Sequence, residues 1–252
     1  MSKAIRSAQR TNASYSQQLA AARHELRDDR AADEVKTVIR GLTQATDLVQ
    51  TENMVLQQKL ADSNAEVGRL RDTLAQARHD ATTDALTSLP NRKAFDEELQ
   101  RACTAADMSG VPLQLAVLDI DHFKTFNDTW GHQTGDQVLR FVASVIGRVG
   151  APPRFAARYG GEEFAMIFSR EDLSQVEHTL QEICDEIGSR HLKRRSTNED
   201  LGAVTISAGF AERRPGETPI ALMERADRAL YASKHAGRNC VTSAEKRTSA
   251  AA

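Results

Sequence analysis

Two carboxylates directly follow two glycines in the stretch Arg158-Tyr159-Gly160-Gly161-Glu162-Glu163-Phe164. The apolar run Ala165–Phe168 comes next, so the segment reads as a tight hairpin turn entering a buried strand. Glycine supplies positive φ in such turns and lets a ligand approach the backbone. Two acids there pack poorly, and metal or phosphate chemistry gives them a purpose.

A second cluster is Leu118-Asp119-Ile120-Asp121-His122-Phe123-Lys124-Thr125-Phe126-Asn127-Asp128. Asp119 closes the apolar run that begins at Leu113, and strand ends are where α/β sheets display ligand groups. If the hairpin turn lies beside that strand end, Asp119 and Glu162 converge into a hard-oxygen site suited to Mg²⁺ bridging phosphates. Lys124 can neutralise phosphate charge, and Asp121–Lys124 opens a short helix whose N–H groups can cradle phosphate. Asn127 and Asp136 can read a base: a carboxylate accepts from the N1–H and N2–H₂ edge of guanine, a donor pair that adenine lacks.

The elements around these residues alternate. A structured joint over 82–95, broken by Pro90, leads into a helix to about Ala106. Leu113–Asp119 is a buried strand, Asp136–Val149 a helix, and Arg154–Tyr159 with Glu163–Phe168 a hairpin. Leu173–Ile187 is helical, Ala203–Phe210 a strand and Ile220–His235 an amphipathic helix, with a charged loop over 191–202. This is an α+β fold, a mixed central sheet flanked by helices. His122, Phe126 and Trp130 read as packing residues, and Asp84 with Arg92 as a pair that clamps the joint.

Ahead of the joint the chain changes character. Residues 1–81 hold no proline and only two glycines, Gly41 and Gly68, which favours helix. From Val35 a heptad fits, with d positions Val35, Leu42, Val49, Leu56, Ser63, Leu70 and Ala77. The a positions are Ile39, Thr46, Asn53, Leu60, Val67, Leu74 and Ala81; eleven of the fourteen are apolar. About seven heptads exceed what a coiled coil needs, and a single Asn at an a position, here Asn53, favours a parallel in-register dimer. The expected organisation is a helical or frayed segment over 1–34, a parallel dimeric coiled coil over 35–81, a catalytic domain over 82–243 and a loose tail over 244–252.

The 252 residues carry a formal net charge of −2, which gives no basic surface for wrapping a nucleic-acid backbone. Three sparse cysteines, Cys103, Cys184 and Cys240, lack metal-ligand spacing and suit a reducing cytoplasm. There is no apolar run of membrane-spanning length and no secretory h-region.

The chain resembles the GGDEF family, the diguanylate cyclases, in a Gly-Gly-Glu-Glu-Phe form. Arg158–Phe164 carries the signature, and Asp84–Phe95, Asp119–Asp136, Thr205–Gly209 and Ala226–Asn239 match in order and spacing. The resemblance covers roughly residues 82–243. It implies a bacterial, cytoplasmic enzyme that condenses two GTP molecules into cyclic di-GMP with release of two pyrophosphates, between two facing domains of a homodimer. It further implies Asp119, Glu162 and the Ile120 carbonyl as ligands of Mg²⁺ (or Mn²⁺), two ions per half-site. Asn127 and Asp136 would bind guanine, while Phe123, Lys124, Lys234 and Arg238 would hold the triphosphate. Gly160 and Gly161 would let the nucleotide lie against the hairpin. Glu163 would be a supporting acid or help deprotonate the 3′-hydroxyl.

A catalytically silent GTP-binding or partner-binding scaffold is the alternative from another class. Such relatives carry damaged signature residues, and none is visible here. The family's inhibitory product motif, Arg-x-x-Asp, has no match: Ala151-Pro152-Pro153-Arg154 stands in its place, which implies weak product inhibition. No sensory domain is recognisable ahead of the coiled coil; the helix either transmits a signal from an unidentified upstream sensor or partner protein or only dimerises.

Overall fold

The computed structural model describes residues 2–25, 32–193 and 199–245. It divides into two compact units, Met1–Ala77 and Arg78–Ala252.

In the first unit α1 (Ser2–Glu25) folds back antiparallel on the N-terminal half of α2 (Ala32–Thr82). The Tyr15 hydroxyl lies 3.2 Å from Thr46 Oγ1, and Ser7 Oγ donates to Glu52 Oε1 at 3.4 Å, so ascending positions on α1 meet descending ones on α2. Ala8 and Ala22 are buried in this contact, where small side chains let two helices approach closely. The segment expected to be helical or frayed is therefore a helix with a docking face of its own. The part of that expectation that falls on residues 26–31 lies outside the described residues.

In the second unit a joint over 83–91 follows α2. Asn91 donates through its side chain to the Ala81 carbonyl and through its backbone to Thr82, capping the end of one helix while its Oδ1 caps the start of the next, α3 (Arg92–Ser109). Ser88 sits in the left-handed region at φ 61°, a conformation that suits glycine and costs other residues about 1 kcal/mol. Then come β1 (Leu113–Ile120), α4 (Phe123–Trp130), α5 (His132–Val149), β2 (Phe155–Arg158), β3 (Glu163–Ser169) and α6 (Leu173–Gly188). Next follow β4 (His191–Lys193), β5 (Asp200–Ala203), β6 (Ile206–Glu212), α7 (Pro219–His235) and β7 (Val241–Ser243).

Five strands form one sheet in the order β2-β3-β1-β6-β7, all antiparallel neighbours except the parallel pair β6 and β7. β1 is central and buried along its whole length. Its alternate residues face two cores, as the two-residue period of a strand demands. Ala116, Leu118 and Ile120 join α5 and α6 through Val142, Ile146, Leu180 and Ile183. Leu113, Leu115 and Val117 join α3 and α7 through Phe95, Leu99, Leu222 and Leu230. The expected mixed sheet flanked by helices is what forms.

Three expectations need correction. The charged segment 191–202 contains the antiparallel pair β4 and β5, because Leu192 packs on the α5/α6 core. Glu245, at the start of the tail expected to be loose, accepts from Arg225 Nη1 at 2.9 Å and is anchored there, while 246–252 lie outside the described residues. His122 is exposed at the entry to α4 with φ 56°, placed there by backbone shape rather than packing.

Candidate active site

The sheet brings the two motifs together. β1 pairs with β3 so that Asp119 stands opposite Glu163, and the Ile120 N–H donates to the Glu162 carbonyl at 3.3 Å. The convergence that sequence alone could only infer is thus a direct strand pairing. The Ile120 side chain is buried, which leaves its main-chain oxygen as the only group it can offer a ligand.

Glycine acts at this turn differently from the expectation. Neither Gly160 nor Gly161 has positive φ. A Cβ on Gly160 would come within 2.4 Å of Glu163 Oε2 and displace that carboxylate, whereas a Cβ on Gly161 would meet nothing within 4 Å. The first glycine makes room for an acid, and the second leaves open space beside the metal-binding candidates. The turn closes with Tyr159 N and Gly160 N both donating to the Glu163 carbonyl, at 2.8 and 3.1 Å.

Burial raises the Asp119 carboxyl above its ordinary range; Lys234 pulls it down, while the charges of Glu163 and Asp121 push it up. Burial raises Glu162 likewise, with Asp119 adding to the effect and Lys234 opposing it. Lys234 Nζ, 2.9 Å from Asp119 Oδ2, is the counter-cation. Among the described residues no three His, Cys, Asp or Glu side chains cluster as a complete metal centre. Two carboxylates that repel each other and are already matched to a cation nevertheless fit a divalent ion whose remaining ligands come from phosphate oxygens.

The proposed base reader is built by α4 and α5. Asn127 Oδ1 is buried without a hydrogen-bond partner, an acceptor that a purine N–H would satisfy. Gly135 permits this, since a Cβ there would lie 1.8 Å from that oxygen. Asp136 follows on the same helix, half-buried; α5 begins four residues earlier than periodicity suggested, which places Asp136 inside it. The Phe123 ring is buried in the core, so only its backbone is available to a triphosphate. Lys124 and Arg238 are exposed, free to meet anionic oxygens.

Two residues outside the expected set hold this arrangement. Asp121 is buried and accepts from Thr205 Oγ1 and Ser207 Oγ at 2.7 Å each, and from the Asn239 N–H at 3.1 Å. Arg238 and Asn239 both have left-handed backbones, φ 65° and 47°, so Asp121 pins a strained turn that carries a phosphate-binding candidate. Arg158 is the other. Its Nη1 donates to Asp84 Oδ1 at 3.0 Å, and its Nη2 donates to the Gly161 carbonyl at 2.7 Å, which ties the joint to the glycine turn. The expected Asp84–Arg92 clamp is not formed: Arg92 instead stands over the Tyr159 ring, 4.6 Å from its centroid. Both positioning residues lie within the motifs, but their partners are distant in sequence. Arg154 offers no free product-binding cation, because it forms a two-point pair with Glu171 at 2.7 and 2.8 Å.

Comparison with known proteins agrees with this geometry. The family model described as diguanylate cyclase, GGDEF domain, matches residues 81–240. Diguanylate cyclase VdcA of Vibrio cholerae is 35% identical over 214 residues, which are 85% of this chain and 62% of VdcA. The chain thus spans less than two thirds of that relative. A crystal structure of the coiled coil and GGDEF domain of DgcB from Caulobacter crescentus, in complex with c-di-GMP, is 70% identical with a TM-score of 0.73. The match covers 75% of this chain and 98% of that one. Diguanylate cyclase SiaD of Pseudomonas aeruginosa, solved with its activator SiaC, is 30% identical with a TM-score of 0.64, covering 90% of this chain and 87% of that one. With the signature turn, the paired acids and the base-reading helices all in the matched span, the chain belongs to the GGDEF family of diguanylate cyclases.

Proposed function

We propose that this chain condenses two GTP molecules into cyclic di-GMP, releasing two pyrophosphates, at a site completed by a second copy of itself. The observation that carries the reading is the pairing of Asp119 with the Glu162-Glu163 turn, a candidate metal-phosphate subsite, to which the orphaned Asn127 acceptor on α4 adds a candidate purine reader. Mg²⁺ (or Mn²⁺), two per half-site, would be held by Asp119, Glu162 and the Ile120 carbonyl. Held by those residues, such an ion would supply charge neutralisation at the phosphates and at the attacking and leaving oxygens.

The chain's own groups do the positioning. Asn127 and Asp136 orient guanine. Lys124, Lys234 and Arg238, with the N–H groups at the start of α4, hold the triphosphate. Glu163, kept in place by Gly160, stands beside Asp119 and shapes the field at the attacking hydroxyl. Each domain holds one GTP, and the 3′-hydroxyl that attacks belongs to the GTP on the other. A parallel dimer through the heptads of 35–81 raises the effective concentration of the second half-site to about millimolar or above. SiaD was solved with an activator protein, and input to this chain through residues 1–81 from a partner would follow the same logic. No helix among the described residues is long and apolar enough to cross a membrane, and a cytoplasmic location suits the substrate.

Incubation with GTP and Mg²⁺, followed by chromatography of the products, tests the activity. Cyclic di-GMP and pyrophosphate are expected from the native chain, and a loss of at least about a thousandfold from Glu162→Ala. GTP binding without turnover would make the chain a silent scaffold instead. Because Arg-x-x-Asp is missing and Arg154 is engaged, added cyclic di-GMP is expected to leave the progress curve nearly unchanged. Strong inhibition at low product concentration would refute that part.

A further inference from the structure

The apolar stripe on α2 changes width along its length. Over residues 35–49 it is three heptad positions wide: d, a, and also g, where Val38 and Ala45 stand. From Glu52 onward the g positions are Glu52, Lys59, Glu66, Thr73 and Asp80, so g no longer adds to the a/d stripe; Met54 and Val55 lie off it, at b and c. A two-stranded coiled coil uses two positions, and a bundle helix uses three.

The narrowing coincides with the end of α1. Ser7 meets Glu52, so α1 runs out a turn or two further along α2, near Leu56. Along the span of α1 the half-buried positions on α2 are Val35, Val38, Leu42, Ala45, Val49, Glu52 and Leu56 of the d and g set, together with Thr46 at an a position. α1 therefore uses mainly the d/g seam; of the a positions it covers Thr46 through Tyr15 and leaves Ile39 open, 54% exposed. α1 repeats the pattern. Ala8, Tyr15 and Ala22 face α2, while Ile5 and Leu19, one heptad step to the side, are 37% and 48% exposed. In an antiparallel pair the sense of rotation reverses, so Ile39 of α2 and Ile5 and Leu19 of α1 fall on one side of the hairpin, the side continuous with the a/d seam; the exposed Leu48 and Val55, at c positions, lie on the other.

We propose that this open side is covered by the same side of a second copy. The α1 helices and residues 35–56 of the α2 helices of two chains would form a four-helix bundle in which α1 of each lies beside α2 of the other, and the bundle would continue past Leu56 as the two-stranded coiled coil. The proposal rests on the homodimer reading above and gives it an architecture. A second copy is the occupant that fits, because only a two-fold axis along α2 carries the a/d seam of 60–81 unbroken into the wider stripe of 35–49. α1 becomes part of the dimer's grip rather than a spare arm. Antiparallel pairing sets Leu19 of one chain level with Ile39 of the other.

Disulfide trapping in the full chain tests this. Cys103 and Cys184 are buried and Cys240 half-buried, so the native chain serves as the uncrosslinked control. Copies bearing Leu19→Cys, co-expressed with copies bearing Ile39→Cys, are expected to give at least about fivefold more interchain disulfide than Ile39→Cys alone, since bridged Cα atoms must approach within about 7 Å. Val67→Cys alone should crosslink, and Ser7→Cys with Glu52→Cys should close within one chain. If Ile39→Cys crosslinks as well as Val67→Cys and the mixture adds nothing, the pair is two-stranded throughout; the bundle falls and the dimer stands. If Ser7→Cys/Glu52→Cys does not close while Val67→Cys crosslinks, the hairpin and the bundle fall together. If Val67→Cys does not crosslink and the native chain sediments as a monomer, both readings fail.

Discussion

Lys234 Nζ lies 2.9 Å from Asp119 Oδ2, so a side chain assigned to the triphosphate stands against the carboxylate assigned to the metal. A divalent ion at Asp119 and Glu162 would displace the ammonium toward the phosphates. Lys234→Met should therefore act with opposite signs. Mg²⁺ binding without nucleotide should tighten, because a competing cation is gone, while KM for GTP should rise about tenfold, roughly 1.4 kcal/mol. Calorimetry and steady-state kinetics read the two effects, and a fall in both affinities would refute the exchange.

Metal binding should also depend on pH. Burial raises both Asp119 and Glu162, with Glu163 and Asp121 adding at Asp119 and Asp119 and Glu163 adding at Glu162, so in the metal-free fold both carboxyls hold protons more tightly than in the unfolded chain. Their stabilising contribution is present below the ordinary carboxylate range and is lost as pH rises through their raised values. A divalent ion reverses this by favouring the ionised forms. The gain in Tm on adding Mg²⁺ should grow as pH rises from the ordinary carboxylate range through the raised values, and be largely lost in Asp119→Asn. A constant gain over that window would contradict the assignment.

Arg158 joins Asp84 in the joint to the carbonyls of the glycine turn. Arg158→Lys keeps a charge but loses the fork, so kcat should fall at least about tenfold with Tm changed by only a few degrees. Burial works to raise the Asp84 carboxyl, but hydrogen bonds from Thr87 and Arg158 outweigh it and hold it below the ordinary range. That contribution is present above the ordinary Asp value and lost as pH falls through the lowered one, so Asp84→Asn should flatten acid destabilisation. Unchanged kcat in Arg158→Lys would reduce the pair to a structural clamp.

Asp121 touches no substrate in this account and acts through the turn that carries Arg238. Asp121→Asn retains an acceptor for some of its three donors, whereas Asp121→Ala leaves buried hydroxyls unsatisfied at about 1–3 kcal/mol each. Asp121→Asn should raise KM for GTP several-fold with kcat nearly intact, and Asp121→Ala should also lower Tm. Equal loss of stability in both variants with KM unchanged would make its role purely structural.

Much of this was legible in the residues because the chemistry is local to motifs. Asp119 and Glu162 each announce themselves as acids where packing disfavours them, and the apolar run of β1 announces a buried strand. What the sequence could not show was partnership at a distance. Asp121 meets Thr205, Ser207 and Asn239, all more than eighty residues away, and periodicity carries no such signal. Arg158 took the Asp84 partner assigned to Arg92 because β2 lies beside the joint, with its Arg158 N–H donating to the Pro90 carbonyl. β7 escaped because three residues are too few to show alternation. The fold-back of α1 escaped because Ala8 and Ala22 are small, and a small-residue seam resembles an ordinary helix surface.

The central claim is that each domain supplies only half of an active site. The direct measurement is cyclic di-GMP formed per chain, as a function of protein concentration, in the native protein and in Ile39→Asp/Val67→Asp/Leu74→Asp, which places charges in both the bundle face and the two-stranded seam. The native chain should keep a constant specific activity through a tenfold dilution (about one order of magnitude below working concentration). The variant should sediment as a monomer, and its specific activity should rise in proportion to concentration. A monomeric variant with full, concentration-independent activity would contradict the account.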